Sequence, residues 1–439
     1  MSLGGGNWTA QSKVLPGIYI NFISAAQVPD ILAERGIVAY PASMDWGPEQ
    51  TVVTMTKDNF KSRANELLGD DATANSTLVF REMFRNAHTV LLYRMNTGAK
   101  ATCTYCDAKY SGIAGNKISI VISANVDDET KFDVKTKFDG DLVDHQIVST
   151  FGELVDNKFV VWKEEGTLEA TTGIKLSGGT GSTADVASSE IYINAMEAFG
   201  AYSFHALCIP TTTDEIKTLV AERTKFMRDE LGVKFQTVMY RNEAADYEGV
   251  VSVQNTIEEA GTFGAGALVA WVAGAIAGCA INKSNTNKEY DGELTPVCTE
   301  SQLQLEDAIN EGKFMFHHVG QSTRVLMDVN TLTTFTESKG VDFASNQTIR
   351  IIDQIAVDFA NIFNNKYNGK IPNNESGRIS LWSDFVDEHT ALERVGAIEN
   401  FVPADMVVEA GADKKSVVVT DLIQVVNCME KCYVSVVVG

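Results

Sequence analysis

Two closely spaced cysteine pairs are the residues whose spacing could support metal or redox chemistry. Cys103 and Cys106 form the C-x-x-C motif CTYC, whereas Cys428 and Cys432, in CMEKC, are one residue too far apart for a second such motif. A structural zinc site requires a second pair at comparable spacing. Both pairs lie in strand-like sequence, where alternation places Cys103 and Cys106 on opposite faces. We therefore interpret them as small apolar residues.

The remaining candidate motifs are weaker. His317 and His318 are adjacent in a predicted strand, so they point to opposite sides and cannot form a helical ligand pair. GTFGAG, residues 261–266, lacks the Lys and Ser/Thr of a phosphate loop. LSGGTGST, residues 176–183, could cradle an anion through its backbone amides, but its composition favours a flexible linker. The sequence contains neither a G-x-S-x-G elbow nor H-E-x-x-H, so no catalytic residue, metal ligand or cofactor is predicted.

The elements that would position these motifs begin with a mixed α/β segment. Residues 35–55 read as strand, loop and strand, and Asp58 is expected to cap a helix that begins near Asn59. NSTLVFREMFRNA predicts a second helix, followed by the strand TVLLYRM. Period-two alternation dominates after Gly98, with Asp139 and Gly140 forming a type I′ hairpin turn. This pattern predicts a β-rich insertion domain over residues 98–182.

The chain from Tyr202 onward has an α/β pattern. FHALCIP and VKFQTVMY read as parallel strands that flank a helix, with Thr212 and Glu215 at capping-box spacing. The helix face facing the core is expected to carry Ile216, Leu219, Val220, Phe226 and Leu231. FMFHHVGQSTRVLMDV predicts a hairpin that turns at Gly320 and Gln321, and residues 346–367 predict a long helix.

Residues 264–281 are uncharged over a length at which a membrane span becomes a candidate. The segment is rich in Gly and Ala and lacks flanking basic clusters and an aromatic belt. We favour a buried core helix, in which Gly274 and Gly278 allow another backbone to approach closely.

Composition excludes several functional classes. With 36 Lys and Arg against 58 Asp and Glu, the net charge of -22 argues against binding to a nucleic-acid backbone. The 7 cysteines, an odd number in a long chain, indicate a reducing compartment. The length of 439 residues suggests several domains.

The two ends of the sequence carry strand-forming segments that are uncharged except for Lys431 at the start of the second. Flat apolar strand edges are an aggregation hazard that monomeric proteins usually blunt with Lys, Pro or bulges. Each end could pair within its own sheet or add to the sheet of a neighbouring molecule, and the residue types alone favour neither. The segments comprise Leu15, Pro16, Gly17, Ile18, Tyr19, Ile20, Asn21 and Phe22, and Lys431, Cys432, Tyr433, Val434, Ser435, Val436, Val437 and Val438.

Several stretches, in order along nearly the whole chain, make it similar to the contractile tail sheath proteins of bacteriophages and phage-tail-like particles. Early stretches are GGGNWTAQSKVLPGIYINF, ERGIVAYPASMDWGP and LLYRMNTGAKA. Later ones are AWVAGAIAGCAINKSNTNKEYDG, DFASNQTIRIIDQIA, NNESGRISLW and MEKCYVSVVV. The order of these stretches is more specific than any one of them.

This resemblance implies a non-enzymatic structural polymer in which the two terminal segments are strands exchanged between subunits. It implies an α/β and α+β multidomain fold: an N-terminal arm (1–24), a mixed α/β segment (25–97), the β-rich insertion (98–182), a central subtilisin-like α/β domain (183–345) and a C-terminal α+β domain (346–439). No protease triad motif is present to transfer. The expected partners are further copies in a helical sheath, the tail tube protein, and baseplate and terminator proteins, with no nucleic acid or membrane.

The resemblance also places the protein in a virion tail, or in a phage-tail-like particle, assembled in the bacterial host cytoplasm. It suggests that the helix over residues 346–367 contacts the tube. Two alternatives stay open: an enzyme or ligand-binding protein with a pocket near the ends of FHALCIP and VKFQTVMY, and a receptor-binding virion protein that uses the β-rich insertion.

Overall fold

The structure is a computed structural model that describes residues 35–181 and 188–438. The described chain divides into two compact units. The main unit comprises residues 35–39, 82–89 and 200–438, and the insert unit comprises residues 40–81, 90–181 and 188–199. The predicted α/β and α+β multidomain class is confirmed.

The opening segment follows the predicted order of elements. It contains strands β1 (Ile37–Ala42) and β2 (Val52–Thr56), helices α1 (Lys57–Leu68) and α2 (Leu78–Met83), and strand β3 (Thr89–Arg94). The predicted cap at Asp58 is wrong. Thr56 caps α1 by accepting a hydrogen bond from the Asn59 N–H, and the Asn59 side chain accepts from the Thr56 N–H. This reciprocal arrangement satisfies two of the free donors at the start of the helix.

Two four-stranded antiparallel sheets form most of the insert unit, with the orders β10-β6-β7-β8 and β11-β4-β5-β9. Alternate residues of β6 are buried, as period-two patterning predicts. Trp46 packs into the same core, with its ring centroid 5.3 Å from that of Tyr110. The strands are β4 (Gly98–Thr102), β5 (Cys106–Ser111), β6 (Ile118–Ala124), β7 (Phe132–Phe138), β8 (Asp141–Val148), β9 (Val160–Trp162), β10 (Ile174–Lys175) and β11 (Thr180–Gly181).

One turn prediction and one linker prediction in the insert unit have opposite outcomes. Asp139 and Gly140 connect β7 to β8 with φ values of 50° and 93°, as a type I′ hairpin requires. The linker predicted over residues 176–183 is wrong in its described part, because β11 pairs with β4 there. A Cβ atom on Gly179 would lie 2.4 Å from the Gly112 carbonyl oxygen, so this glycine serves close packing rather than flexibility.

A parallel sheet with the order β15-β14-β13-β12-β1 forms the centre of the main unit. Its strands and helices follow one another as parallel crossovers, and α3 (Ser189–Phe199), in the insert unit, precedes them. The further elements are β12 (Ala206–Ile209), α4 (Asp214–Asp229), β13 (Gln236–Tyr240), β14 (Val250–Val253), α5 (Ala260–Phe263), α6 (Leu268–Gly278), α7 (Gln302–Asn310) and β15 (Lys313–Phe314).

The predicted core face of α4 is partly wrong. Ile216 and Val220 are buried, but Phe226 and Leu231 are 42% and 44% exposed. Met227 is buried instead, because it lies close to the helical repeat that starts at Ile216. The predicted capping box is also wrong, since Thr213 occupies the cap position and makes no side-chain hydrogen bond there.

Helix α6 is buried along almost its whole length, as expected for a core helix. Both glycine predictions are confirmed. A Cβ atom would lie 2.5 Å from the Met83 carbonyl oxygen if added to Gly274, and 2.0 Å from that of Asn86 if added to Gly278. Within residues 35–181 and 188–438, no helix combines the length and apolar character needed to cross a bilayer.

The rest of the main unit is α+β. It contains the hairpin β16 (Phe316–Val319) and β17 (Ser322–Val325), helices α8 (Asn346–Ile362) and α9 (Glu375–Arg394), and the hairpin β18 (Val407–Ala410) and β19 (Val417–Thr420). The first hairpin turns at Gly320, as predicted, with φ of 63°. A π-helical turn, Phe363–Tyr367, extends α8. Phe359 of α8 stacks on Phe385 of α9 with a centroid distance of 3.9 Å.

Candidate subunit interface

Residues 431–438, here called the C-terminal arm, belong to no helix or strand of the described chain. The arm exposes most of its apolar side chains to solvent. Contiguous exposed apolar surface of this kind marks an interaction site in a soluble protein. Five large apolar side chains of the arm are each at least 74% exposed. They are those of Tyr433, Val434, Val436, Val437 and Val438.

Polar contacts fix the chain immediately before the arm. The Cys428 N–H donates to Gln347 Oε1 at 3.0 Å, and Gln347 Nε2 donates to the Val426 carbonyl oxygen at 3.3 Å. Thr286 Oγ1 donates to Glu430 Oε1 at 2.5 Å. These contacts, here called the anchor, hold residues 426–430 against the main unit. The arm therefore leaves the main unit from a fixed point, directly after Glu430.

A buried charged network positions the helix that carries Gln347. Arg350 Nη2 lies 3.0 Å from Asp328 Oδ2, and both side chains are almost fully buried. Asp328 also accepts hydrogen bonds from the Asn285 N–H and from Asn346 Nδ2, each at 2.9 Å. Burial acts to lower the pKa of Arg350, but nearby Cys279 and Asp328 outweigh it and raise that pKa. The network stabilises the charges and fixes the N-terminal turns of α8.

A second buried ion pair joins α4 to α8. Arg228 Nη1 and Nη2 donate to the two carboxylate oxygens of Asp353 at 2.7 and 2.8 Å. Burial acts to lower the pKa of Arg228, but the Asp353 carboxylate and other acidic groups reverse this and raise it. Paired, bidentate geometry is what makes such a buried charge tolerable.

The β18–β19 hairpin is a small sheet of two strands among the described residues. Val407 pairs with Thr420 and Ala410 with Val417, and Trp382 of α9 supports the hairpin through a 3.0 Å bond from Nε1 to the Met406 carbonyl oxygen. Each strand of a two-stranded sheet has one edge without a partner strand in the described chain. Both edges are therefore candidate acceptors for an added strand.

The segment that follows β19 is fixed by a buried histidine of α9. His389 Nδ1 lies 2.5 Å from Glu388 Oε2, and His389 Nε2 lies 2.7 Å from Asp421 Oδ2. Burial alone would lower the pKa of His389, but its bonds to Asp421 and Glu388 raise the pKa to about 9. Burial raises the pKa of Glu388 to about 8. At neutral pH His389 is thus a cation that holds Asp421 in place.

The prediction that Cys103 and Cys106 lie on opposite faces is wrong. Their Sγ atoms are 3.6 Å apart, because the two residues flank the turn between β4 and β5 rather than sharing a strand. Within the described ranges, no cluster of three or more His, Cys, Asp or Glu side chains could hold a metal ion. Cys103 and Cys106 nevertheless place two thiol groups within reach of each other.

The other candidates occupy structural positions. His317 pairs with Arg324, and His318 with Thr323, in the β16–β17 ladder. The alternative of a ligand pocket concerns the carboxyl ends of β12 and β13, where a side-chain hydrogen bond and a close backbone contact lie. Lys217 Nζ donates to the Arg241 carbonyl oxygen at 2.8 Å. A Cβ atom on Gly266 of GTFGAG would lie 2.4 Å from the Pro210 carbonyl oxygen, so backbone packing requires that glycine.

Sequence reasoning identified the arm and missed its anchor. Gln347 and Thr286 are ordinary surface residue types in the sequence, and no local pattern links them to residues 426–430. The predicted N-terminal strand, residues 15–22, lies outside the described residues. Its role and that of residues 431–438 in linking subunits stay predictions.

Four domain families together match almost all of the described chain. Residues 35–95 match the tail sheath protein Gp18 domain III N-terminal region, and residues 96–185 match the phage tail sheath protein beta-sandwich domain. Residues 185–331 match the phage tail sheath protein central domain. Residues 338–439 match the phage tail sheath C-terminal domain.

Individual proteins agree with these matches. The chain is 33% identical to the phage-like element PBSX protein XkdK of Bacillus subtilis (strain 168), over 99% of each chain. It is 36% identical to the crystallised sheath tail protein of Desulfitobacterium hafniense, with a TM-score of 0.79, covering 95% of this chain and 99% of that one. The sheath tail protein Lin1278 of Listeria innocua is 33% identical, with a TM-score of 0.81 over 91% of this chain and 94% of that one.

The similarity to both solved structures extends over the sandwich, the parallel sheet and the α+β region in one chain, so it does not rest on a single common fold. The matched domain families are those of the phage tail sheath, so the chain is a structural component of a virion tail or phage-like particle. The chain therefore belongs to the phage tail sheath protein family and is a structural subunit of a contractile tail sheath.

Proposed function

We propose that neighbouring sheath subunits are joined by strand exchange, in which residues 431–438 of one subunit add to the β18–β19 sheet of another. Residues 15–22 are proposed to act in the same way at the other end of the chain. The observation that carries the proposal is the exposed apolar arm, which leaves the main unit at a fixed anchor. The mode is β-augmentation: backbone hydrogen bonds supply affinity, and alternate side chains supply specificity.

Strand exchange suits a tube that must change shape without coming apart. Head-to-tail contacts that do not close in a plane generate helical assemblies. Contraction then proceeds as rigid subunits rotate and slide between two packings. Backbone ladders keep neighbours joined while the side-chain contacts between subunits break and form again. The work comes from the free-energy difference between the two sets of interfaces, so the subunit needs neither catalysis nor a cofactor.

The finer assignments belong to the same proposal. The expected partners are the tail tube, baseplate and terminator proteins, and assembly is expected in the bacterial host cytoplasm. The chain is expected to divide into five segments, with boundaries at residues 24, 97, 182 and 345. Because α8 is largely buried in the main unit, a tube contact in this region would use the exposed residues near its end, such as Asn361, Asn365 and Lys366.

A pair of proline substitutions in the arm tests the backbone ladder. Successive N–H groups of a strand point in opposite directions, so an added edge strand uses only one of any two neighbours. We expect one of Val436→Pro and Val437→Pro to abolish tube formation and the other to be milder, because proline removes a backbone donor. Negative-stain microscopy and sedimentation velocity measure assembly.

Matched alanine variants, Val436→Ala and Val437→Ala, keep both donors and should still form tubes. Far-UV circular dichroism checks that every variant remains folded. If both proline variants assemble like the unmodified chain, the arm does not join subunits through backbone pairing. If the alanine variants fail as completely as the proline variants, side-chain burial rather than a ladder carries the contact.

A further inference from the structure

Cys103 and Cys106 are held face to face by the hairpin that connects β4 to β5. The Cys103 N–H donates to the Cys106 carbonyl oxygen at 2.9 Å, which closes the turn, and the two Sγ atoms are 3.6 Å apart. At the base of the turn, the Thr102 hydroxyl donates to the Asp107 carboxylate. The geometry of the two thiols is therefore fixed by the backbone rather than by chance rotamers.

Contacts from outside the hairpin fix the turn further. The Thr102 N–H donates to the Ser177 carbonyl oxygen at 2.8 Å. The Lys163 N–H donates to the Tyr105 carbonyl oxygen at 3.1 Å, and Lys163 Nζ donates to the Cys103 carbonyl oxygen at 2.6 Å. The turn is thus rigid, and a lysine cation lies beside Cys103.

The two thiols differ in environment. Cys103 is half-buried and reachable, whereas Cys106 is buried in the sandwich core. The hydrogen bond from Cys106, with backbone N–H groups of Tyr105 and Cys106 and the Lys163 charge, lowers the pKa of Cys103 to about 6 although burial opposes this. The hydrogen bond to Cys103 and burial raise the pKa of Cys106. At neutral pH Cys103 is a thiolate and Cys106 a thiol.

We propose that Cys103 and Cys106 form a reactive dithiol site for small disulfides, with Cys103 as the nucleophile and Cys106 as the resolving thiol. The Cys103 thiolate attacks one sulfur of a small disulfide such as oxidised glutathione, forms a mixed disulfide and releases one thiolate. Cys106 then loses its proton, attacks Cys103 Sγ and releases the second small thiol. The protein loses two electrons and the Cys106 proton, the small disulfide gains the two electrons, and the released small thiolates take up protons from Cys106 and from solvent.

The product joins β4 to β5 through a disulfide across the four-residue turn. The Sγ atoms must approach from 3.6 Å to about 2.05 Å, the length of a disulfide bond. Because Cys106 is buried, it reacts with Cys103 rather than with external disulfides. This site does not depend on the proposed strand exchange, so either can fail without the other.

The test uses the complete, reduced chain treated with oxidised glutathione at pH 6.5 and at pH 8.5. Trypsin cleavage after Lys100 and Lys109 places both cysteines in the single peptide 101–109, and cleavage after Lys431 releases the exposed Cys432 separately. Cys432 is the internal control, an exposed thiol in the same molecule.

We expect peptide 101–109 to lose two hydrogen atoms, whereas the Cys432 peptide gains glutathione. A thiol of pKa about 6 is mostly ionised at pH 6.5, while an ordinary thiol is about 1% ionised. After allowance for the lower nucleophilicity of a less basic thiolate, peptide 101–109 should react roughly five- to tenfold faster at pH 6.5. At pH 8.5 an ordinary thiol is about half ionised, so by the same reasoning the order should reverse, with peptide 101–109 reacting roughly five- to tenfold more slowly.

Serine variants separate the two roles. Cys106→Ser should stop the reaction at a glutathione adduct on Cys103, and Cys103→Ser should leave Cys106 reduced. Equal or slower reaction of peptide 101–109 relative to Cys432 at pH 6.5 would overturn the proposal, as would a stable glutathione adduct on Cys103 in the unmodified chain. The rate comparison needs no variant, so it decides the question even if Cys106→Ser does not fold.

Discussion

The ion pair between Arg228 and Asp353 offers the sharpest test of how the main unit is held together. It joins α4, within the matched central domain, to α8, within the matched C-terminal domain. The side chains are only 5% and 10% exposed, and the two bonds measure 2.7 and 2.8 Å. The perturbation is Asp353→Asn, which removes the charge and nearly preserves the shape.

The expected loss of stability comes from the Arg228 cation, which is left buried without its charged partner. Breaking a buried pair by neutralising one partner costs about 3–5 kcal/mol, because the other charge is left uncompensated. Arg228 keeps its bond to the Phe235 carbonyl oxygen, and asparagine can still accept one hydrogen bond. We therefore expect the lower end, about 3 kcal/mol of unfolding free energy, which is roughly a hundredfold change in the folding equilibrium.

Equilibrium denaturation in urea, followed by tryptophan fluorescence, measures this loss. The matched control is Glu289→Gln, which removes a carboxylate lying 2.7 Å from Arg324 at a more exposed position. A surface pair of that kind contributes at most about 1 kcal/mol. The control shows whether charge removal alone, without burial, changes the midpoint.

A double variant tests whether the unpaired Arg228 charge causes the loss of stability. Arg228→Met with Asp353→Leu removes both charges and should recover most of the stability lost by Asp353→Asn, because buried pairs are often replaced by apolar side chains at little cost. The reasoning is refuted if Asp353→Asn costs less than about 1 kcal/mol, or if the double variant is less stable than the single one.

Two further expectations concern packing and protons. Gly278→Ala should lower the free energy of unfolding by about 2 kcal/mol, because its Cβ would lie 2.0 Å from the Asn86 carbonyl oxygen. Gly261→Ala should be nearly neutral, because no atom lies within 4 Å of the added Cβ. Thermal denaturation compares the two variants. Folding raises the pKa of Glu388 from 4.5 to about 8, so its stabilising contribution is complete below pH 4.5 and is lost as the pH rises through 8. Folding raises the pKa of His389 from 6.5 to about 9, so its contribution is complete below pH 6.5 and is lost as the pH rises through 9. The denaturation midpoint should therefore fall between pH 6.5 and 9, and His389→Gln should flatten that fall; a midpoint that rises over this range contradicts the assignment.

Local patterns in the sequence predicted the elements that depend on local physics. Asp139 and Gly140 specify a turn because few residues adopt positive φ readily, and Gly274 and Gly278 indicate close approach because they recur on one side of an apolar helix. The strand-forming character of the arm is visible in the sequence, but its exposure is not, because the residue types alone favour neither pairing within the chain nor pairing with a neighbour.

Errors arose where a local rule was extended too far. Cys103 and Cys106 obey strand alternation only if the strand continues, and the turn between them brings their sulfurs together. Phe226 lies ten positions after Ile216, about 80° away from it and about 120° away from Val220 around a helix. It therefore lies outside the stripe that Ile216, Val220 and Met227 form. The sequence could not predict the anchor, because Gln347 and Cys428 are separated by 81 positions.

The main unit is built from separate stretches of the chain, and this affects how the chain folds during its synthesis. Ile37 and His205, 168 positions apart, are linked by a 3.3 Å hydrogen bond, and β1 pairs with β12 beside them. The first strand therefore has no partner on this side until the ribosome has synthesised the whole insert unit. Closing so long a loop costs only slightly more entropy than closing a short one, because the penalty grows with the logarithm of length. Translation, rather than chain entropy, then sets when the parallel sheet can form, and an insert that folds during the wait keeps its apolar strands from other nascent chains.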